Sequence, residues 1–211
     1  MEIIYRGAES IIYLDEYDNQ KAIVKERIKK NYRIDKIDAE LRKARTKKEV
    51  KLLTDARKCG VATPKILHVD EKNYKIIMEY VDGKRVKELL NSSDPETVSK
   101  TCTMIGESIG KLHSAGIIHG DLTTSNMILK SSQIYFIDFG LGEFSKKIEG
   151  QGVDMNLLFE AVKSTHIKIL NICWENIVKG YKKEYKNAEQ VLEKVEEIEK
   201  RARYAERQKQ V

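Results

Sequence analysis

Short apolar runs broken by polar turns dominate the chain before residue 82, and helical spacing of apolar positions dominates most of the remainder. Ile3-Ile4-Tyr5-Arg6 and Ile11-Ile12-Tyr13-Leu14 read as paired strands joined by the turn Gly7-Ala8-Glu9-Ser10. Ala22-Ile23-Val24-Lys25-Glu26 reads as a third short strand. A helix is predicted from Asp35 to Lys58. Within it, Glu49-Val50-Lys51-Leu52-Leu53 sets apolar side chains where they can pack one turn inward. Pro64 fits the entry to a strand at Ile66-Leu67-His68-Val69, and Met78-Glu79-Tyr80-Val81-Asp82-Gly83 ends in a turn signal. Asp94-Pro95-Glu96 has the form of a helix start, with the aspartate as cap and the proline in the first turn. A strand is expected at Ile134-Tyr135-Phe136-Ile137, and strong helical character resumes near Val153. Trp174, among Ile169, Leu170, Ile172 and Ile177, is expected in the core. Val191, Leu192, Val195 and Ile198 mark a last, heptad-like helix.

Composition narrows the class without naming a function. With 211 residues and 41% hydrophobic content, the chain can bury one sizeable core, or two small ones sharing a cleft. No apolar run approaches a membrane span, and the amino terminus lacks a signal-peptide pattern, so a cytoplasmic protein without membrane contact is expected. Cys59, Cys102 and Cys173 are far apart and form no Cys-x-x-Cys pair, which points to reduced thiols rather than zinc ligands.

The chemistry concentrates between Ile117 and Gly140. Asp121, Asn126 and Asp138 fall on two tight loops flanked by apolar strands, an arrangement suited to phosphoryl transfer from a nucleotide. A transferring phosphoryl group carries negative charge on its oxygens and calls for a divalent cation. Hard cations such as Mg2+ take oxygen ligands, which Asn126 and Asp138 supply. Asp121 stands where a carboxylate can accept a hydrogen bond from an incoming hydroxyl and orient it, as base and positioner together. The plain alternative is a polar turn between two strands, with Asp-Phe-Gly a chance tripeptide. His119 is expected to brace this loop. Asp154 is expected to accept backbone hydrogen bonds from it, and His113 to cap or pack.

Upstream residues would complete a clamp for ATP. A lysine inside an apolar strand needs an anionic partner, which makes Lys25 the candidate phosphate ligand. Glu40 and Glu49 are the helical acids that could hold it, and the apolar flank of Glu49 favours Glu49. Backbone amides of the first turn, at Gly7 and Ser10, are candidate phosphate contacts, although one glycine alone is equally explained by hairpin geometry. Around Glu79 and Val81 an adenine ring could bond to backbone groups.

Taken in order, the lysine strand, the helix glutamate, Met-Glu-Tyr-Val-Asp-Gly, His-Gly-Asp-x-x-x-x-Asn and Asp-Phe-Gly resemble the protein-kinase-like superfamily over about residues 1 to 163. A narrower likeness rests on Gly7-Ala8-Glu9, Arg45-Thr46-Lys47-Lys48-Glu49, Cys59-Gly60-Val61-Ala62-Thr63-Pro64, Ile118 to Asn126, and Arg201-Ala202-Arg203-Tyr204-Ala205-Glu206-Arg207. These resemble the small atypical kinase family of the KEOPS complex. That resemblance implies an α+β, two-lobed protein-kinase-like fold, with a small antiparallel sheet and one main helix over residues 1–81. A reduced, mostly helical lobe over 82–211 would end in a basic tail from about residue 200. It also implies an atypical serine/threonine kinase/ATPase using Mg2+ and ATP. Such a subunit acts beside a threonylcarbamoyl-transferase and other KEOPS subunits in making threonylcarbamoyl-adenosine in transfer RNA.

Departures from ordinary protein kinases refine the expectation. His119-Gly120-Asp121 lacks the arginine that would hold a phosphorylated loop, which argues against that mode of switching. Val153 lies only 13 positions after Gly140 and no Ala-Pro-Glu stretch appears, leaving little room for a peptide platform. Thr123 stands where a lysine is usual. Slow, narrow phosphotransfer or ATP hydrolysis is expected. The rival readings are a small-molecule kinase of the aminoglycoside or choline type, and a scaffold with incidental ATP binding.

Charge adds candidate partner surfaces. Residues 25 to 58 hold fourteen Lys or Arg against six Asp or Glu, a local excess of +8 that exceeds the chain's net +6. Arg42, Lys43, Arg45, Lys47 and Lys48 cluster there, either as a solvated face or as an approach for transfer RNA or an acidic partner. In the tail, Arg201, Arg203, Arg207 and the ring of Tyr204 are candidates for contacting transfer RNA or folding back toward the cleft. There an ordered helix is expected to give way to a mobile end.

Overall fold

In a computed structural model, the backbone is described for residues 2–208 and side chains for residues 2–202. Five strands come first: β1 (Glu2–Arg6), β2 (Ser10–Tyr17), β3 (Gln20–Arg27), β4 (Ile66–Asp70) and β5 (Lys75–Glu79). They form one antiparallel sheet in the order β1-β2-β3-β5-β4. The β2–β3 hairpin closes over Asp18 and Asn19, which both take positive φ, the requirement of a two-residue turn that follows strand twist. Alternation along β3 turns Lys25 and Arg27 to one face, and both are buried.

Helix α1 (Asp35–Lys58) lies between this sheet and the rest of the chain. Its second half buries Glu49, Leu52, Leu53 and Ala56. The bounds and the inward turn at Glu49 match the sequence expectation. Beyond Glu79 the chain is mainly helical: α2 (Val86–Ser92), α3 (Pro95–Ser114), α4 (Ile148–Thr165), α5 (Leu170–Glu184) and α6 (Ala188–Gln208). Short strands β6 (Lys84–Arg85), β8 (Met127–Lys130) and β9 (Gln133–Phe136) form one small sheet. A two-residue pairing of β7 (Ile117–Ile118) with β10 (Glu143–Phe144) forms another. The two-lobed α+β organisation is as expected. One continuous buried cluster runs from Leu52, Leu53 and Val61 through Phe136 and Phe139 to Tyr181 and Val195, so the second half of α1 shares a core with the helical part.

Asp94 caps α3 by accepting from the Thr97 amide at 3.0 Å, with Pro95 in the first turn. Helices α3 and α5 then approach until backbones touch. A β-carbon on Gly106 would lie 2.0 Å from the Ile177 carbonyl oxygen, and one on Gly180 would lie 2.1 Å from that of Thr103. Alanine ordinarily favours a helix over glycine by about 1 kcal/mol, but here the overlap reverses the sign. Gly106→Ala is expected to destabilise by about 1–3 kcal/mol, read as a lower urea midpoint. A midpoint equal to or above wild type would show that the helices separate freely.

Three expectations need correction. Helix α4 begins at Ile148, before Val153, so the stretch after Gly140 is shorter than the pattern suggested. Helix α6 continues through Gln208 instead of giving way near residue 200. Trp174 is half-buried, its ring against Phe159 at 4.9 Å between centroids, because α5 turns that position to the rim of the core.

Candidate active site

Between the sheet and the helical part lies a cleft of about 580 Å³, within the range that encloses a nucleotide-sized ligand. Lys25, Glu49, Glu79, Val81, Asp121, Asn126 and Asp138 all line it. Ile12, Ile23, Met78, Ile128 and Ile137 supply apolar walls.

Lys25 is 4% exposed, and its Nζ donates to Glu49 Oε1 and to Asp138 Oδ1, each at 2.6 Å. Glu40 is exposed on the same helix, which leaves Glu49 as the acid that meets the lysine. The other Glu49 oxygen accepts from Arg27 Nη2 at 2.5 Å. Sequence reasoning missed Arg27. The signal was present, since two residues along a strand return to the same face, where a second buried cation needs the same anion.

Burial works against the Lys25 charge, but Glu49 and then Asp138 outweigh it and hold the lysine above its ordinary value of 10.5. Burial likewise works to raise the Asp138 carboxyl, but Lys25 outweighs it and holds Asp138 below 3.8. The raised lysine contributes stability fully below 10.5 and loses it as pH climbs through the higher folded value. The lowered aspartate contributes fully above 3.8 and loses it as pH falls through the lower one. The stability gap between wild type and Asp138→Asn, measured by urea unfolding, is therefore expected to stay level between pH 3.8 and 10.5 and to close only outside that window. A gap that closes near neutrality would contradict the pairing.

Asp138 has φ 62, and its Oδ1 also accepts from the Gly140 amide at 3.1 Å, which holds the carboxylate toward the cleft. Across from it, Asn126 Nδ2 donates to the Asp121 carbonyl at 3.0 Å and to Asp121 Oδ2 at 2.8 Å. Both amide donors are thus spent on Asp121, which leaves the carbonyl oxygen of this cleft-lining side chain as its ligand atom. That oxygen and the Asp138 carboxylate form a hard donor set that fits a magnesium ion.

The loop carrying Asp121 is held from behind. Asp154 accepts from the His119 amide at 2.9 Å through Oδ2 and from the Gly120 amide at 2.8 Å through Oδ1. His119 is fully buried; its Nδ1 accepts from the Asp121 amide at 3.3 Å while Nε2 donates to the Ile137 carbonyl at 3.1 Å. Burial lowers its basicity, which keeps this tautomer neutral. The ring thus ties the Asp121 loop to the strand end before Asp138. His113 packs instead of capping, bonded to Tyr181 at 2.8 Å and to Asp154 at 3.3 Å. Gly120 sits at φ 80, where a β-carbon would lie 2.5 Å from the Leu141 carbonyl oxygen, so the position after His119 has no space for an arginine.

Two further positions were invisible in the sequence. His166 is buried; its Nε2 meets Thr124 Oγ1 at 2.9 Å and its Nδ1 meets Asn91 at 2.7 Å, which fixes the turn between Asp121 and Asn126. Arg85 donates to the Ser125 carbonyl at 2.5 Å at the cleft mouth. These contacts join residues 40 to 75 positions apart, and no local pattern announces them.

Not every candidate gathers at the cleft. Gly7 and Ser10 lie outside its walls, and the Gly7 amide is engaged by the Ser10 carbonyl at 2.9 Å. Arg42 departs from the expected outward-facing cation: its Nε donates to buried Asp38 at 2.7 Å and its guanidinium lies 4.1 Å over the Tyr74 ring. A desolvated aspartate claims that charge for the fold. Lys47 reaches Glu71 at 3.1 Å but remains exposed, as does Lys43. Arg201 pairs with Glu149 at 3.3 Å with most of its side chain in solvent. Arg203, Tyr204 and Arg207 lie on α6, but their side chains fall outside the described residues.

With this geometry in place, comparison with known proteins decides the family. The RIO domain family matches residues 11–141. The KEOPS complex subunit Bud32 of Pyrococcus abyssi is 51% identical over 98% of both chains. This chain belongs to the Bud32 group of the RIO-domain family. Membership makes it a protein-kinase-like protein of the atypical kinase/ATPase class. A probable bifunctional tRNA threonylcarbamoyladenosine biosynthesis protein of Methanosarcina barkeri is 44% identical over 97% of this chain, and the matching protein of Methanobrevibacter smithii is 42% identical over 96%. The chain spans only 36% of each of those longer relatives. The WaaP chain of a solved complex with acyl carrier protein superposes with a TM-score of 0.63 at 12% identity, covering 94% of this chain and 88% of that one, a likeness of fold alone. Among the described residues, no helix is long and apolar enough to cross a membrane.

Proposed function

We propose that this chain binds Mg2+ and ATP in the cleft and works in the cytoplasm as an atypical serine/threonine protein kinase and ATPase. Its setting is a KEOPS assembly, beside a threonylcarbamoyl-transferase subunit, in support of threonylcarbamoyladenosine formation in transfer RNA. The observation that carries the chemical part is the convergence of Lys25, Glu49, Asp121, Asn126 and Asp138 on one cleft. The assembly and the RNA come from what the similar proteins are named for.

Lys25, released from one of its two carboxylate bonds, meets the phosphates, while Glu49 keeps it charged and in place. Asn126 and Asp138 hold the metal, which when bound neutralises charge on phosphate oxygens. Asp121 accepts the hydrogen bond of the attacking hydroxyl or water, held in position by Asn126 and by the His119 and Asp154 brace. Adenine bonds to the backbone from Glu79 to Val81, between lobes taken as residues 1–81 and 82–211. The β1–β2 turn, flanked by Tyr5 and Ile12 of the cleft wall, covers the phosphates, with Gly7 and Ser10 as its contacts. Lys43, Lys47 and the Arg201, Arg203, Tyr204 and Arg207 segment are the surface proposed for transfer RNA.

The test offers radiolabelled ATP to the protein alone, with a serine-rich peptide, with choline or an aminoglycoside, and with the purified transferase partner plus transfer RNA. ATP hydrolysis that rises with partner and RNA, with little peptide labelling, is the expected result. Labelling of the small molecules would overturn the proposal, and absence of nucleotide binding would leave only a scaffold.

A further inference from the structure

Beside the cleft, Glu9, the single acid of the β1–β2 turn, shares a small pocket with Arg27, Lys30, Arg33, Arg42 and Arg45; Arg42 is held by Asp38, and Arg27, Arg33 and Arg45 face Glu9. Glu9 takes the Arg45 guanidinium in a short charge-assisted bond, meets Arg33 Nη2 at 3.4 Å, and stands 4.0 Å from Arg27 Nη1. Its carbonyl accepts from the Ile28 amide at 3.1 Å. Arg45 and Glu49 lie one turn apart on α1, and Arg27 is the cation that closes on Glu49. Charges therefore alternate without a break through Asp138, Lys25, Glu49, Arg27, Glu9 and Arg45.

Isolated surface pairs contribute little, but this series is anchored by Arg27, which is 5% exposed, and by Glu49 at 1%. The turn itself is short, carries one glycine, and has its Gly7 amide committed to Ser10. Its placement must come from outside the turn, and Glu9 is the side chain that reaches out. The hydrogen bond from Arg45 holds the Glu9 carboxyl below its ordinary value, so it stays ionised at neutral pH.

We propose that Glu9 is a positioning residue: by gripping Arg45 and Arg33 it fastens the β1–β2 turn to α1, so one helix sets both the phosphate-side turn and the Glu49–Lys25 pair. Glu9 is not among the residues lining the cleft, so it acts through the turn that it holds. The inference rests on the reading that the cleft takes ATP.

The test measures binding of a nonhydrolysable ATP analogue with Mg2+, and of adenosine, to the full chain and to Glu9→Gln, Arg45→Gln and the double variant. Each single change is expected to weaken analogue binding about tenfold and leave adenosine binding unchanged, because adenosine lacks the phosphates that the turn approaches. The double variant is expected to lose no more than either single one, the signature of one shared interaction. Glu9→Asp, which keeps the charge, is expected to recover part of the affinity. Should Glu9→Gln fail to fold, Arg45→Gln and Glu9→Asp carry the same comparison. Unchanged analogue affinity, equal loss for adenosine, or additive losses would overturn the role of Glu9 while leaving the ATP reading intact. An unaltered protein that binds no analogue would overturn that reading, and this inference with it.

Discussion

Replacing Asp138 with asparagine is expected to cut Mg-dependent ATP turnover by about 10²–10³-fold, the range found when one electrostatic contact to a transition state is removed. Asparagine nearly preserves the shape and can still accept from the Gly140 amide, so the loop keeps its course. What disappears is the negative charge that faces Lys25 at 2.6 Å and that, with Asn126, forms the proposed metal seat. Lys25 retains Glu49, so folding suffers far less than turnover. The check is steady-state hydrolysis of labelled ATP across a magnesium titration, where the variant should also need more metal. Retention of more than about a tenth of wild-type turnover would remove Asp138 from metal binding.

Glu49→Leu is expected to have the largest effect on stability, a loss of about 3–5 kcal/mol, because it removes the one buried anion from two buried cations and leaves Lys25 only the more exposed Asp138 and Arg27 only Glu9 at 4.0 Å. Lys25 and Arg27 are 4% and 5% exposed, and Glu49 answers both. For a chain of this size that loss corresponds to a fall of about 6–20 °C in the melting midpoint. Removing the cations as well, in Lys25→Met/Arg27→Met/Glu49→Leu, is expected to restore most of the stability without restoring function, since apolar replacements of a buried ionic group are often neutral. A loss below about 1 kcal/mol in Glu49→Leu would mean that water or Asp138 takes over the charge.

Most of the candidate site was legible because its chemistry is local in sequence. Asp121 and Asn126 share one loop, Asp138 comes directly after its strand, and the apolar flank of Glu49 chose it over Glu40. What escaped is non-local. His166 meets Thr124 across 42 positions and Arg45 meets Glu9 across 36, and neither partner carries a periodic signal. The early start of α4 was hidden by Gly150 and Gly152, which weaken helix propensity by about 1 kcal/mol each. Tertiary contact offsets that preference: β-carbons there would lie 2.7 Å from Ile118 Cδ1 and 2.6 Å from Lys194 Cγ, so α4 packs close over side chains that a larger residue would have to displace. Arg42 looked like a free surface cation because the buried carboxylate of Asp38 cannot be foreseen in a charged stretch.

The stretch after Asp138-Phe139-Gly140 is stitched down almost at once. Glu143 and Phe144 pair with Ile118 and Ile117, the Ser145 amide bonds to the Gly116 carbonyl at 2.8 Å, and α4 begins at Ile148. Gly120 closes the remaining gap by seating against Leu141. Such a segment has little slack with which to swing between an open and a closed pose, and Gly120 stands where an arginine would grip an added phosphate. With the catalytic loop and the segment after it locked together, changes of rate are expected to come from whatever docks against the molecule rather than from a swing of the chain itself.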